Sequence, residues 1–289
     1  MQKLKTSRPL GLLVIFLIYA FATAVGVVFT MATEFDWWVS ILLADIIATV
    51  IVFIFGLIFN NASVYDPYWS VLPIVLVVAY LFRMETISIY HIALAAVVLL
   101  WGVRLTANWA YTFTGFGYQD WRYVMLKEKT KKLYPIVNLL GIHLFPTMVV
   151  YHCIMPVILV MEMEATMPAY SLVFIGVSLF AVVLQGVADC QMHKYRKNRT
   201  TTFIRTGLWK HSRHPNYLGE ILMWWGVGLA CCVTTGMAMV LLGAIVNTLM
   251  FAFVSIPMAD KRQAKKDGFA EYKKQTWALL PLPKPQRKK

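Results

Sequence analysis

Long apolar stretches alternate with shorter polar ones along this chain. Seven of the apolar stretches are long enough to cross about 30 Å of hydrocarbon as helices. They lie at about residues 10–31, 39–60, 87–111, 136–161, 170–191, 217–235 and 237–257. A shorter apolar run at 69–82 fits either an eighth span or a re-entrant segment. The pattern predicts an all-α, polytopic integral membrane protein with seven or eight transmembrane helices.

The composition agrees with a membrane protein, because 59% of the 289 residues are hydrophobic and only 14% are charged. Soluble domains carry about 25% charged residues. The polar stretches between the apolar runs are too short to hold a separate soluble domain. We therefore expect a single membrane domain over residues 1–289. It divides into N-terminal helices at 1–60, a core at 61–260 and a basic tail at 261–289.

The formal net charge of +13 would suit a nucleic-acid partner, but the position of the charge indicates membrane topology instead. If eight segments cross, one face carries Lys3, Lys5, Arg8, the loops at 112–135 and 193–214, and the tail after Met258. Cytoplasmic loops are enriched in Lys and Arg, so this face is predicted to be cytoplasmic, and no nucleic acid is expected to bind. Seven spans would instead put the N-terminus on the outside.

The segment from Gly207 to Glu220 is polar, cationic and turn-forming, and it runs directly into an apolar helix. Pro215 is a favoured first helical residue, and Arg213 before it carries a fork of charged donors. Asn216, Tyr217 and Glu220 follow within the first turns, where backbone amides and the helix dipole attract anions. The segment predicts a binding site for an anionic group such as phosphate.

A second polar group lies where the apolar stretch from residue 170 reaches the basic face. Residues three or four apart lie on the same side of a helix, and Asp189, His193 and Arg196 have this spacing, with Gln185 one turn further in. A carboxylate, an imidazole and a guanidinium on one stripe suit the ribose and phosphates of a nucleotide. The alternative is an interfacial helix end held by salt bridges.

A third group lies at Asn61–Pro73, where Asp66 precedes a proline and has aromatic neighbours at Tyr65, Tyr68 and Trp69. A carboxyl group in such apolar company is expected to hold its proton near neutral pH, as a proton donor must. Asp66 is the leading candidate for an acid, with Tyr65 or Tyr68 as its hydrogen-bond partner. The alternative is an aromatic belt at the membrane interface with an Asp that caps a helix.

Two further segments carry candidate ligand-binding residues. Arg104 and Asn108 share one helical face near the basic side and could hold part of a dinucleotide, although Arg104 could equally snorkel without a ligand. Asp260 and Arg262 precede a charged amphipathic segment and could close over a cofactor. The six histidines are scattered, and no metal site is expected.

The Gly207–Glu220 segment and the stripe before it resemble the membrane-embedded steroid 5-alpha-reductase family, including its DUF1295 group, and distantly resemble isoprenylcysteine carboxyl methyltransferases. The resemblance covers most of the chain from about Tyr65 onward. It implies an NADPH site, a reductase-like core, and an acid in the loop of Asp66 that engages a substrate carbonyl. The resemblance carries over, as cofactor residues, to Gln185, Asp189, Arg196, Asn216 and Glu220. The residues discussed above add seven candidates for cofactor binding, which are His193, Arg213, Tyr217, Arg104, Asn108, Asp260 and Arg262.

On this resemblance, the expected activity is NADPH-dependent reduction of an activated carbon–carbon double bond in a lipophilic substrate taken from the bilayer. Membrane lipids are the other expected partners, and Lys residues of the tail are expected to bind anionic head groups. The rival activity is methyl transfer from S-adenosylmethionine, which lacks phosphates. A non-enzymatic lipid-binding or transport protein is the third possibility. The sequence does not distinguish a steroid from a polyprenyl or fatty acyl substrate.

Overall fold

The computed structural model describes residues 5–282 and is built from helices, with no extended strand in that range. Between residues 8 and 282, the α-helices are α1 (Arg8–Ala32), α2 (Trp37–Ile58), α3 (Tyr68–Arg83), α4 (Ile89–Thr112), α5 (Trp121–Thr130), α6 (Tyr134–Val137), α7 (Phe145–Glu162), α8 (Ser171–Lys197), α9 (Pro215–Thr235), α10 (Leu242–Met250), α11 (Ile256–Gln263) and α12 (Phe269–Gln275). Two π-helical segments interrupt the series, at Asn138–Leu144 and Phe251–Ser255.

Eight helical stretches in the described residues are long and apolar enough to cross a membrane. The all-α, multi-pass prediction is therefore confirmed. The short apolar run at 69–82 lies within one of these stretches, Ala62–Arg83, and α3 continues through Pro73. Lys3 and the tail beyond residue 282 were predicted to belong to the basic face, and both lie outside the described residues.

The chain separates into two compact units. Unit 1 consists of the described residues up to Val78 together with Trp101–Met155, and unit 2 consists of Ala79–Leu100 together with the described residues from Pro156 onward. The boundaries between the units fall inside α3, α4 and α7.

In unit 1, α1 and α2 pack against each other and against the loop before α3. The buried apolar face of α1 repeats at helical spacing, at Ile15, Ile18, Tyr19 and Ala22. The Tyr19 hydroxyl donates to the backbone carbonyl of Val64 at 2.6 Å. This hydrogen bond fixes the loop that carries the candidate acid, Asp66.

In unit 2, α8 and α9 pack closely along their length, because small residues let the two backbones approach. A Cβ atom on Gly226 would lie 2.2 Å from Ser178 Oγ, and one on Gly219 would lie 2.4 Å from Gln185 Cγ. The position on α9 falls as the position on α8 rises, so the two helices are antiparallel. The sequence favours this arrangement, because only a short loop joins the two candidate cofactor segments.

Candidate functional site

The loop that carries Asp66 in unit 1 is held by the side chain of Asn61. Asn61 Oδ1 accepts from the Ser63 backbone N–H at 2.9 Å, which starts a short 3-10 turn. Asn61 Nδ2 donates to the carbonyls of Phe116 and Tyr118 at 3.0 and 2.8 Å. The loop before α3 is thereby fastened to the loop before α5. Two segments far apart in sequence are thus held side by side.

Asp66 is half-buried and is hydrogen-bonded to a tyrosine in the first turn of α5, the helix that follows that second loop. The Tyr123 hydroxyl donates to Asp66 Oδ1 at 2.5 Å. Next to this pair, Arg122 Nε lies 2.8 Å from Asp120 Oδ1, and Asp120 caps α5 by accepting from the Arg122 backbone N–H. Asp66 and Tyr123 therefore form an acid–phenol pair. The sequence singled out Asp66 but expected Tyr65 or Tyr68 as its partner.

Tyr65 and Tyr68 are buried and hydrogen-bonded to other groups in unit 1. The Tyr65 hydroxyl lies 2.8 Å from Thr147 Oγ1, which lies 3.0 Å from Thr49 Oγ1. Tyr68 donates to Oδ1 of Asp45 at 2.8 Å. Asp45 is the mid-span carboxyl group of α2 and is only 2% exposed. Such groups are costly unless paired, so the Tyr68 hydroxyl stabilises Asp45 at membrane depth.

Arg104 and Asn108 both lie on α4 within unit 1, one helical turn apart and half-buried. Between them, the Thr106 hydroxyl lies 2.8 Å from Ser70 Oγ on α3. The predicted shared helical face is therefore present. Their assignment to cofactor binding stays a prediction.

In unit 2, the centre of the predicted cofactor site is a buried polar pair between α8 and α9. Gln185 Nε2 donates to Glu220 Oε2 at 2.7 Å, and Trp224 Nε1 donates to Glu220 Oε1 at 3.0 Å. Gln185 and Glu220 are 1% and 4% exposed. Two donors therefore hold the Glu220 carboxyl group between the helices.

The remaining residues of the α8 stripe continue toward the end of that helix. Asp189 and His193 are half-buried and Arg196 is exposed, all on the uninterrupted helix α8. The chain then turns back onto α8, where Gln191 Oε1 accepts from the Leu208 backbone N–H at 2.9 Å. Gly207 permits this approach, because it has φ +59° and an added Cβ would lie 2.4 Å from Gln191 Oε1.

The turn before α9 is held by an ion-pair cluster around Asp260 of α11. Arg213 Nη2 lies 3.1 Å and Lys273 Nζ lies 3.3 Å from Asp260 Oδ2, and His214 Nε2 lies 3.0 Å from Asp260 Oδ1. Arg213 Nη1 also donates to the carbonyl of Thr276 at 2.6 Å. We call Arg213, His214, Asp260 and Lys273 the Asp260 cluster. The guanidinium donors of Arg213 are thus bonded to other residues of the protein.

The C-terminal helix α12 is attached to the same turn by a buried tyrosine. The Tyr272 hydroxyl donates to the backbone carbonyls of Trp209 and Ser212. Burial raises the pKa of Tyr272 to about 12, so the phenol is neutral at physiological pH. Ser212 forms a parallel bridge to Trp277, after the end of α12. Arg262, a predicted cofactor residue of α11, is exposed.

The helix α9 begins at Pro215, which confirms the predicted first helical residue. Tyr217 stacks on the His214 ring with a centroid distance of 5.0 Å and an interplanar angle of 6°. Asn216 is half-buried, and its Oδ1 atom is buried without a hydrogen bond to any described residue. The Oε1 atom of Gln185 is likewise buried and has no hydrogen bond to any described residue.

These two amide oxygens fit a cofactor that carries hydrogen-bond donors. A buried polar atom without a partner costs about 1 to 3 kcal/mol, which a ligand donor would offset. NADPH carries amide and hydroxyl donors, and the exposed Arg196 has the charge and the donors that suit a phosphate. Among residues 5–282, no three His, Cys, Asp or Glu side chains are grouped as a metal site.

Comparison with known proteins identifies a family. Residues 52–276 match the family described as "Protein of unknown function (DUF1295)". An uncharacterized protein of Schizosaccharomyces pombe is 28% identical over 193 residues, which cover 57% of this chain and 56% of that protein. The chain thus spans about half the length of this curated relative. No solved structure matches the chain significantly. Because the family match covers most of the chain, the protein is a multi-pass membrane member of the DUF1295 family.

Proposed function

We propose that this protein is an NADPH-dependent reductase that acts on a conjugated carbon–carbon double bond of a membrane lipid or steroid-like molecule. The observation that carries the proposal is the Asp66–Tyr123 pair, with its 2.5 Å hydrogen bond, in the loop that resembles the acid-bearing loop of the reductases. The buried Gln185–Glu220 pair and the two amide oxygens without partners support a cofactor in unit 2.

In the proposed reaction, an enone substrate gains one hydride and one proton and becomes the saturated ketone. NADPH, when bound, would supply the hydride and become NADP⁺. Asp66 would hydrogen-bond the conjugated oxygen and deliver the proton as negative charge develops there. Tyr123 positions Asp66, because its hydroxyl fixes one carboxyl oxygen. Tyr65 and Tyr68 are the next candidates for the acid.

The proposed cofactor contacts in unit 2 come from two helices. Gln185, Asn216 and Glu220 would hold polar groups of NADPH between α8 and α9, and Asp189 and His193 would contact its ribose and phosphate region. The exposed Arg196 guanidinium suits a phosphate. Arg213 and Asp260 bind each other. Their proposed contribution is therefore to position the first turn of α9.

We further propose that the cofactor residues face the cytoplasm, since the loops that carry them are rich in Lys and Arg. The substrate would enter from the bilayer. Unit 1 exposes many large apolar side chains, including Phe16, Phe21 and Ile54, which suits contact with lipid. Cofactor and substrate would then come from different phases.

The proposal is tested by measuring oxidation of NADPH by the purified protein in lipid nanodiscs with a panel of steroid and polyprenyl enones. Wild-type protein should oxidise NADPH only with the enones, and not with their saturated counterparts. Asp66→Asn should bind NADPH normally but lose about 10²- to 10⁴-fold in rate. The control is Asp36→Asn, which removes an exposed carboxylate of unit 1 and should leave the rate unchanged.

Two results would contradict the proposal. Near-normal turnover by Asp66→Asn would remove Asp66 from the mechanism. Methylation of a lipophilic acceptor with S-adenosylmethionine, without any oxidation of NADPH, would favour the methyltransferase activity instead.

A further inference from the structure

A buried asparagine of unit 2, Asn247 on α10, faces the helix that carries the predicted cofactor residues. Contacts of Ala244, Thr248 and Phe251 define the face of α10, and of the segment just beyond it, that is turned toward α9. A Cβ on Gly228 would lie 3.8 Å from Ala244 Cβ, and Trp225 Nε1 donates to Thr248 Oγ1 at 2.9 Å. Positions 244, 248 and 251 recur at helical spacing, and residue 247 lies on the same stripe.

The side chain of Asn247 is 1% exposed, yet neither Nδ2 nor Oδ1 has a hydrogen-bond partner among the described residues. The polar group of the adjacent Thr248, by contrast, is fully hydrogen-bonded. Its hydroxyl accepts from Trp225 and donates to the Ala244 carbonyl at 2.7 Å. An amide with both polar atoms unpaired is unfavourable in an apolar interior. The amide of Asn247 therefore indicates a ligand that offers one donor and one acceptor close together.

The backbone changes its helical form one turn after Asn247. The Phe251 backbone N–H is directed to the carbonyls of both Asn247 and Thr248, and the π-helical segment begins at Phe251. Short π-helical segments occur frequently at functional sites. The Phe251 ring lies 4.8 Å from the ring of Tyr217, a predicted cofactor residue. Asn247 is thus one helical turn from a residue that contacts the proposed cofactor segment.

We propose that Asn247 binds the carboxamide of the nicotinamide ring, and this inference rests on the proposed use of NADPH. A primary carboxamide is the complement of an Asn side chain, since each offers one N–H donor and one carbonyl acceptor. Asn247 Nδ2 would donate to the carboxamide oxygen, and Oδ1 would accept from the carboxamide nitrogen. Asn247 would then determine specificity for the nicotinamide end of the cofactor.

The test compares binding of NADPH with binding of its reduced acetylpyridine analogue, in which a methyl group replaces the amide nitrogen. Dissociation constants are measured by calorimetry on wild-type protein and on Asn247→Leu, which keeps the branched shape and the number of heavy side-chain atoms. Wild-type protein should prefer NADPH by about 3- to 10-fold, the value of one hydrogen bond. Asn247→Leu should bind NADPH about 10- to 100-fold more weakly and should lose that preference.

Thermal unfolding without ligand provides a second readout, because removal of an unpaired buried amide should not lower the midpoint of Asn247→Leu. The matched control is Thr248→Val on the same turn. It loses the hydrogen bond to Trp225 and should be less stable, but it should keep the preference for NADPH.

An unchanged preference in Asn247→Leu, with wild-type protein binding NADPH, would overturn this inference and leave the proposed function standing. A lower unfolding midpoint for unliganded Asn247→Leu would also count against it, because the amide would then have a structural partner. Wild-type protein that binds neither nucleotide would overturn both proposals.

Discussion

Replacing Asp260 with alanine should weaken the attachment of α11 and α12 to the turn before α9. Asp260 and Arg213 are 7% and 8% exposed, so their ion pair is shielded from water. Removing one partner of a buried pair costs about 3 to 5 kcal/mol, because the other charge is left uncompensated. In the variant, Arg213 keeps its hydrogen bond to the Thr276 carbonyl, so we expect a cost near the lower end of this range. Lys273 is half exposed, and its ion pair adds at most about 1 kcal/mol.

The Arg213–Asp260 pair breaks when α11 and α12 leave the turn together, so a loss of about 3 kcal/mol raises the equilibrium constant for this local opening roughly 10²-fold. Trypsin cleavage after Lys273 and Lys274, followed by mass spectrometry of the solubilised protein, measures that opening when reclosing is faster than cleavage. Asp260→Ala should therefore be cleaved in α12 roughly 10² times faster than wild-type protein.

The matched control is Glu271→Ala, which removes an exposed ion pair with Lys274 on the same helix. Because both side chains are largely in solvent, this variant should be cleaved at nearly the wild-type rate. The reasoning is refuted if Asp260→Ala and Glu271→Ala are cleaved equally fast, because the Asp260 cluster would then contribute nothing to holding α12.

Three other predictions concern packing, pH and topology. Gly226→Ala should lower the thermal unfolding midpoint, because its Cβ would lie 2.2 Å from Ser178 Oγ. The control is Gly176→Ala on α8, whose Cβ would have nothing within 4 Å and should not lower the midpoint. Equal midpoints for the two variants would contradict the close packing of α8 and α9. The raised pKa of Tyr272 favours the folded state below about pH 10, and this stabilisation should be lost as the pH rises toward about 12. Tyr272→Phe should lack that alkaline loss of stability, and a loss as large as in wild-type protein would exclude Tyr272 as its source. Reporter fusions should place both termini in the cytoplasm, and an external N-terminus would contradict an even number of spans.

The helices of this protein were predictable because their signals are local. The length of the apolar stretches predicted the candidate spans, and a proline after a polar turn predicted the start of α9 at Pro215. The helical spacing of Gln185 and Arg196 placed both on α8. The antiparallel arrangement of α8 and α9 followed from the short connection between them.

The side-chain pairs were less predictable because their members are distant in sequence. Tyr123 is 57 residues from Asp66, and Arg213 is 47 residues from Asp260. No periodicity connects such positions, so a free Arg213 and a more local partner for Asp66 were reasonable expectations. Asn247 has no local signal, because a single Asn in an apolar helix becomes informative only when its buried amide is seen to have no partner.

The most direct test of the proposed reductase is the thermal unfolding midpoint of the purified protein with NADPH, with S-adenosylmethionine and with no ligand. NADPH at about 100 times its dissociation constant should stabilise the folded state by about 2.7 kcal/mol and raise the midpoint, whereas S-adenosylmethionine should not. Arg196→Ala and Asn216→Ala should each reduce the shift at the same NADPH concentration. Stabilisation by S-adenosylmethionine alone, or by neither ligand, would contradict the assignment of this protein as an NADPH-dependent reductase.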